Sequence, residues 1–190
     1  MDLKGRIRVF ARIRPLLAEE ASPAVYTNAA EPNTLTIASQ AYGSSSQAEK
    51  AFAFDRVFHP GHSQEDVFEE VQPMITSALD GYNVCIFAYG QTGSGKTFTM
   101  SGSRSAPGVN PRAVAALFNQ ARARSATYDY KFFVSMFEIY NDQIRDLLCK
   151  DDEARGDAPP KLSDVRWDDS RSLDVKLKPD GSCAVDGLVE

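Results

Sequence analysis

The sequence predicts an α/β fold, a central β-sheet flanked by helices, with a phosphate-binding loop at the C-terminal end of a central strand. Three observations lead there. Strand-like and helix-like patterns alternate along the chain. Gly90-Gln91-Thr92-Gly93-Ser94-Gly95-Lys96-Thr97 meets the P-loop pattern G-x-x-x-x-G-K-[ST] at every fixed position. An apolar run precedes that loop and a helix-compatible run follows it, the strand–loop–helix setting the motif requires.

The elements follow in order. Arg6 to Arg14 alternates charged and apolar side chains and reads as a strand that Pro15 ends. Turn-rich polar sequence runs on to about Lys50, with a short strand at Thr34–Ile37 and a loop tip at Tyr42–Ser46. Ala51 to Phe58 reads as one strand with Phe52, Phe54 and Phe58 largely on one face. A helix begins after Ser63, a good N-cap with Asp66 three residues on. Val67, Val71, Ile75 and Ala78 keep helical spacing, Pro73 predicts a kink, and Gly81 ends the helix.

Asn83 to Tyr89 reads as a short buried strand that places Cys85 inside. The P-loop follows, and a helix starts beyond it. In such a turn successive backbone N–H groups bind phosphate oxygens, and a following helix adds its free N–H groups and dipole. Lys96 is the side chain for the β- and γ-phosphates, and the Thr97 hydroxyl is the Mg²⁺ ligand. Ser101–Gly108 breaks the helix. A second helix is expected with Asn110 as N-cap and Pro111 first inside it, carrying the stripe Val114, Leu117, Phe118 and Ala121. Tyr130–Tyr140, apolar on both faces, predicts the sheet centre. Cys149–Pro160 reads as an acidic solvated loop. Leu173–Lys178 and Cys183–Val185, joined by Pro179-Asp180-Gly181, read as a hairpin.

The chain has 190 residues, 43% hydrophobic and 25% charged, which suits a globular domain with a real core. Its net charge of −5 argues against nucleic-acid binding, although Lys4, Arg6, Arg8, Arg12 and Arg14 cluster near the start. Three cysteines with no C-x-x-C argue against a disulfide framework and for a reducing compartment. No apolar run reaches membrane-spanning length, and the first five residues do not form a signal peptide. His59 and His62, around Pro60-Gly61, are too few for a metal site and read as a solvated loop.

Four segments, in order, resemble the kinesin motor head. They are Arg6-Ile7-Arg8-Val9-Phe10-Ala11-Arg12-Ile13-Arg14-Pro15-Leu16, with its R-x-R-P motif; Phe54-Asp55-Arg56-Val57-Phe58; Tyr89 to Met100, the kinesin form of the P-loop; and Phe137 to Leu148. The opening Leu3 to Val9 is most similar to the branch with C-terminal, minus-end-directed motors.

The resemblance implies a P-loop NTPase with a central mixed β-sheet flanked by helices. It implies ATP or ADP with Mg²⁺ as cofactors, and a microtubule-stimulated ATPase in the full-length parent. Microtubules are the implied partner, with no nucleic acid and no membrane, in the cytoplasm on the cytoskeleton. A dimer through a coiled coil outside these residues is also implied. Arg12, Arg14 and Pro15 would form one side of the adenine pocket, since a flat guanidinium stacks on a purine. Phe98 would stack on the other face. Gln91, Thr92, Gly93, Ser94, Gly95, Lys96 and Thr97 would hold the phosphates, and Thr97 the metal. Taken without the family, Arg12 and Arg14 read as exposed strand charge.

One departure bears on chemistry. The family's switch motifs, N-x-x-S-S-R-S-H and D-x-x-G, do not occur among these residues. Asp169-Ser170-Arg171-Ser172 and Asp180-Gly181 are only partial echoes. No catalytic residue is therefore assigned. The expectation is a partial motor domain over 1–190, with a nucleotide-binding core at 6–148 and an acidic loop and hairpin lobe at 149–190, ending before the switches. Two alternatives stay open: a degenerate kinesin-like module that binds nucleotide or tubulin without turnover, and another P-loop NTPase using Glu138 as its acidic strand-end residue.

Overall fold

The computed structural model describes residues 7–20, 23–28, 30–40, 47–141, 143–148, 175–177 and 183–185. The expected loop tip at 42–46, the acidic loop at 149–160 and the turn at 179–181 lie outside them. The chain forms two compact units, Met1–Asp129 and Tyr130–Glu190.

In the first unit, strand β1 (Phe10–Arg12) pairs in parallel with β5 (Arg56–Phe58), Phe10 opposite Arg56 and Arg12 opposite Phe58. Backbone bonds extend this pairing at both ends, from Asp55 N–H to Val9 O and from Ile13 N–H to Phe58 O. The run 51–58, expected as one strand, is two. β4 (Gln47–Ala53) joins an antiparallel sheet instead, and the chain turns at Phe54-Asp55 before β5 begins. That sheet, in the order β2-β3-β4, contains β2 (Val25–Asn28) and β3 (Glu31–Gln40). β2 arises from sequence read as turn-rich, and β3 is longer than the expected Thr34–Ile37. Ladder hydrogen bonds sustain it with little core burial: Leu35 is buried while Ile37 and Tyr26 stay exposed.

Helix α1 (Gln64–Leu79) has the expected start. The Ser63 hydroxyl accepts from Asp66 N–H at 3.1 Å, and the Asp66 carboxylate accepts from Ser63 N–H at 2.6 Å, a full capping box. Pro73 lies inside the helix. Asp80 caps the C-terminus and Gly81 follows at φ +93°. Tyr82 N–H donates to Ser77 O and Gly81 N–H to Ala78 O, the paired bonds of a Schellman motif.

Helix α2 (Lys96–Met100) is barely more than one turn. Helix α3 (Val109–Ala123) starts earlier than expected, capped by Gly108, so Asn110 and Pro111 fall inside its first turn. Proline is tolerated there because that turn has no intrahelical acceptor for its N–H. Of the expected α3 stripe, Leu117 packs on the core and Ala121 is buried, while Val114 and Phe118 are exposed. Val109, Ala113 and Ala116 complete the inward face in their place.

The core gathers Phe58 of β5, Val67, Val71 and Ile75 of α1, and Val109 of α3, with Phe10, Phe68, Ile86 and Met100 packed around them. Burying side chains of this size is worth roughly 1.5–3 kcal/mol each. Arg124 pairs with Asp80 at 2.6 Å and Thr76 donates to Gln120 Oε1 at 3.0 Å, tying α3 to α1.

Two apolar stretches expected as buried strands, 83–89 and the first part (130–136) of the run 130–140, join no ladder among the described residues. Along 83–89, Phe87 is 79% and Tyr89 95% exposed, and Cys85 is an exposed free thiol. Along 130–136, Phe133 and Val134 are exposed. A strand's composition sets its preference for extended backbone; a ladder also requires a neighbour that supplies N–H and C=O groups.

In the second unit, β6 (Phe137–Tyr140) and β7 (Gln143–Asp146) form an antiparallel hairpin, turning at Asn141 with φ +49°. Asparagine tolerates this left-handed conformation better than most residues. β8 (Val175–Leu177) pairs with β9 (Cys183–Val185), the hairpin the alternation predicts. No helix among the described residues is long and apolar enough to cross a membrane.

Candidate nucleotide-binding site

The loop 90–97 is wound tightly. Ser94 N–H donates to Gln91 O at 3.2 Å, and a Cβ added at Gly90 would meet Ser94 Oγ at 2.6 Å. Gly95, at φ +96°, is the N-cap of α2, and Thr99 N–H donates back to Gly95 O. A side chain at residue 95 would strain that left-handed backbone. Because α2 has five residues, the loop's own amides supply most of any phosphate cradle, rather than a long helix dipole.

Lys96 directs its ammonium at the start of the loop. Nζ donates to Gly90 O and to Gln91 O, each at 2.8 Å. These carbonyls hold a mobile side chain beside the loop, and phosphate oxygens are stronger acceptors for the same donors. Thr97 is exposed next to it. No cluster of three or more His, Cys, Asp or Glu residues suited to a metal exists among the described residues. The residues present fit a metal held chiefly by phosphate oxygens and one hydroxyl, a usual arrangement for Mg²⁺.

Arg12 leaves the end of β1 toward the same region. Its Nη1 donates to Gln64 Oε1 at 2.8 Å and to Thr99 Oγ1 at 3.1 Å. Its guanidinium lies 5.3 Å from the centre of the Phe98 ring, a cation–π distance. Burial pushes its pKa below the usual arginine value, though it stays charged. Arg12 and Phe98 are therefore close neighbours, 5.3 Å apart from guanidinium carbon to ring centre. A purine between them would need roughly 7 Å, two van der Waals contacts of about 3.5 Å. In this conformation the pair forms one continuous surface in place of two opposed jaws.

Arg14 pairs with the Glu20 carboxylate and donates to Pro15 O at 3.3 Å. Glu20 also accepts from Leu17 N–H at 2.8 Å, and that backbone bond, with Arg14 second, holds its pKa below the usual carboxylate range. Pro15 is exposed beside them. Arg8 pairs with Glu70 at 2.7 Å. Of the basic cluster near the start, the described arginines Arg8, Arg12 and Arg14 are thus engaged inside the chain.

The sequence reading missed Gln64 and Glu20. Gln64 is 3% exposed, and it connects Arg12 to the backbone of α2 and of the loop after it, with Nε2 donating to Phe98 O at 2.7 Å and to Ala106 O at 3.4 Å. His59 and His62 are partly buried rather than solvated. His59 N–H donates to His62 Nδ1 at 2.8 Å and the rings stack. Glu138, the acidic residue of the alternative NTPase reading, sits mid-hairpin opposite Arg145 rather than at the end of a buried strand.

The family model "Kinesin motor domain" matches residues 12–190. The kinesin-like protein KIN-14H of Arabidopsis thaliana is 52% identical over 153 residues, 78% of this chain and 14% of that protein. KIN-14R of the same plant is 45% identical over 193 residues, covering 100% of this chain and 16% of that protein. The solved structure of a fast kinesin aligns with TM-score 0.75 and 34% identity over 96% of this chain and 47% of the other. The chain thus spans about one sixth of those curated relatives and about half of that solved motor.

Proposed function

The chain belongs to the kinesin motor-domain family, and from that premise we propose that residues 1–190 are the ATP-binding portion of a microtubule motor. The observation that carries this is the P-loop itself, complete in sequence, tightly wound, and delivering the Lys96 ammonium to the mouth of the loop. In this reading Lys96 exchanges its two carbonyl partners for phosphate oxygens. The amides of Gln91, Thr92, Gly93, Ser94 and Gly95 cradle the phosphates, and the Thr97 hydroxyl is the protein's ligand to Mg²⁺. The metal neutralises phosphate charge when bound.

The base subsite is the surface made by Arg12, Phe98, Arg14 and Pro15. Arg12 is already desolvated and ordered by Gln64 and Thr99, so stacking a purine on it costs little further side-chain entropy. In the full-length protein, hydrolysis drives movement along microtubules, toward the minus end as the likeness to KIN-14 proteins suggests. Dimerisation is through a coiled coil outside these residues, and the location is on cytoplasmic microtubules.

The test is a titration with fluorescent ADP and Mg²⁺. Lys96→Ala should weaken binding at least about tenfold, the scale of a charge-assisted phosphate contact. Equal affinity in parent and variant would remove the site assignment.

A further inference from the structure

Gln64 is the one buried polar or charged residue among the described residues. Polar groups removed from water to this degree cost free energy unless fully bonded, and this amide is bonded at both ends. Its oxygen accepts from Arg12 Nη1 at 2.8 Å, and its nitrogen donates to Phe98 O at 2.7 Å and Ala106 O at 3.4 Å. Those partners fix the amide's orientation. Reversing it would aim N–H groups at a guanidinium and an oxygen at two carbonyls. Gln64 is also the first residue of α1, directly after the Ser63 capping box, so its backbone is pinned. A rigid amide thus joins the arginine at the end of β1 to the backbone of α2, the helix that begins with Lys96 and Thr97.

We infer that Gln64 is a positioning residue that holds the base-side arginine in register with the phosphate loop, and so sets how strongly the protein prefers a nucleotide over its phosphate chain alone. The inference rests on the proposed nucleotide site and adds to it a residue that touches neither base nor phosphate. With Gln64 in place, Arg12 stays over Phe98, at a fixed offset from the loop. Without it, Arg12 keeps only the Thr99 hydroxyl among these two hydrogen-bond partners, and its long side chain regains rotamers. Phosphate binding depends on Lys96, Thr97 and the loop amides, none of which Gln64 contacts.

The experiment compares ADP and inorganic tripolyphosphate, each with Mg²⁺, by calorimetry on the parent, Gln64→Leu, Arg12→Lys and the double variant. Gln64→Leu should weaken ADP about tenfold, on the scale of a hydrogen bond to a charged group, and change tripolyphosphate affinity by less than about threefold. The Arg12→Lys effect on ADP should shrink in the Gln64→Leu background, because the two residues act as one unit. Equal losses for both ligands, or strictly additive effects, would overturn the inference. Gln64→Glu guards against misfolding of the leucine variant. It keeps an acceptor for Arg12 and loses the donor to Phe98 O, so the ADP-to-tripolyphosphate ratio should stay nearer the parent's; a ratio as low as that of Arg12→Lys would also overturn it. If the parent binds neither ligand, it is the nucleotide-site reading that fails.

Discussion

The carboxylate of Asp55 accepts the Val9 amide at 2.8 Å, while the Asp55 amide donates to the Val9 carbonyl at 3.0 Å. This two-way pairing lies at the point where the chain leaves one sheet and enters the other. It starts the parallel β1–β5 ladder, whose far end delivers Arg12 to the site. Asp55→Ala removes the acceptor and should cost about 1 kcal/mol, the net worth of one hydrogen bond. Asp55→Asn keeps an oxygen for Val9 and should stay within about 0.5 kcal/mol of the parent. Urea unfolding with unchanged slope reads both; equal midpoints for parent and alanine variant would show that the pairing contributes nothing.

Residues 101–108 close the gap between α2 and α3 with a narrow loop, in which Gly102 bridges to Pro107 and Gly108 N–H donates to Ser101 O. Gly102 has φ +72°, and a Cβ there would lie 2.2 Å from Ala106 O and 2.3 Å from Gly108 N. Gly61 has no atom within 4 Å of such a Cβ and no positive φ. Gly102→Ala should therefore destabilise by about 1–3 kcal/mol or more, while Gly61→Ala stays within about 0.5 kcal/mol of the parent or stabilises slightly. Thermal melts of the two variants side by side check this, and matching melting temperatures would contradict it.

The cap of α1 makes stability depend on pH in a definite direction. Asp66 titrates below the usual carboxylate range, first because Ser63 N–H donates to it, then through the Ser63 hydroxyl. A lowered folded-state pKa means the contribution is complete above the unfolded value, about 3.9, and is lost as pH falls through the lower folded value. Glu20 and Glu65 are shifted the same way by backbone bonds and by Arg14 and Arg112. Asp66→Asn should make the acid loss of stability shallower without abolishing it. Ser63→Ala should cost about 1 kcal/mol at neutral pH through loss of the cap. Unfolding curves between pH 7 and pH 3 measure both, and an unchanged acid limb in Asp66→Asn would rule out the assignment.

These elements differ in how legible they were beforehand, and the difference is physical. The α1 cap, the P-loop and the β8–β9 hairpin are local: each depends on side chains within a few residues, so spacing reveals them. Residues 83–89 and 130–136 have strand composition, but no short-range signal states whether a neighbouring strand is present. β2 and β3 gave the opposite difficulty, since ladder bonds can hold a polar, half-solvated strand that shows little alternation. Along α3, Leu117 and Ala121 turn inward as expected, but Ala113 and Ala116 compete with Val114 and Phe118 for the rest of the inward face, and bulk favoured the wrong pair. In the site, Arg12, Lys96, Thr97 and Phe98 were visible through motif and resemblance. Gln64 was not, because a glutamine in a first helical turn reads as solvated, and its partner Arg12 lies 52 residues away.

A protein consisting of residues 1–190 alone should bind nucleotide yet show no microtubule-stimulated turnover. The loop and Lys96 can hold phosphates, but hydrolysis also requires a water placed in line and donors around the charge that develops on the γ-phosphate. The residue types that do this in the family's switch motifs do not occur as motifs in this sequence. Among the described residues, Lys96 is committed to the loop, Arg12 to Gln64 and Thr99, and Arg14 to Glu20. Leaving the positioning and charge-stabilising groups out should cost on the order of 10²–10⁵ in rate, as at other phosphoryl-transfer sites. Steady-state phosphate release with and without polymerised tubulin measures it, alongside a nucleotide titration that verifies binding. Clear stimulation by microtubules, lost in Lys96→Ala, would mean that groups within residues 1–190 carry the chemistry, and Arg12 and Arg14 would then be the first side chains to test.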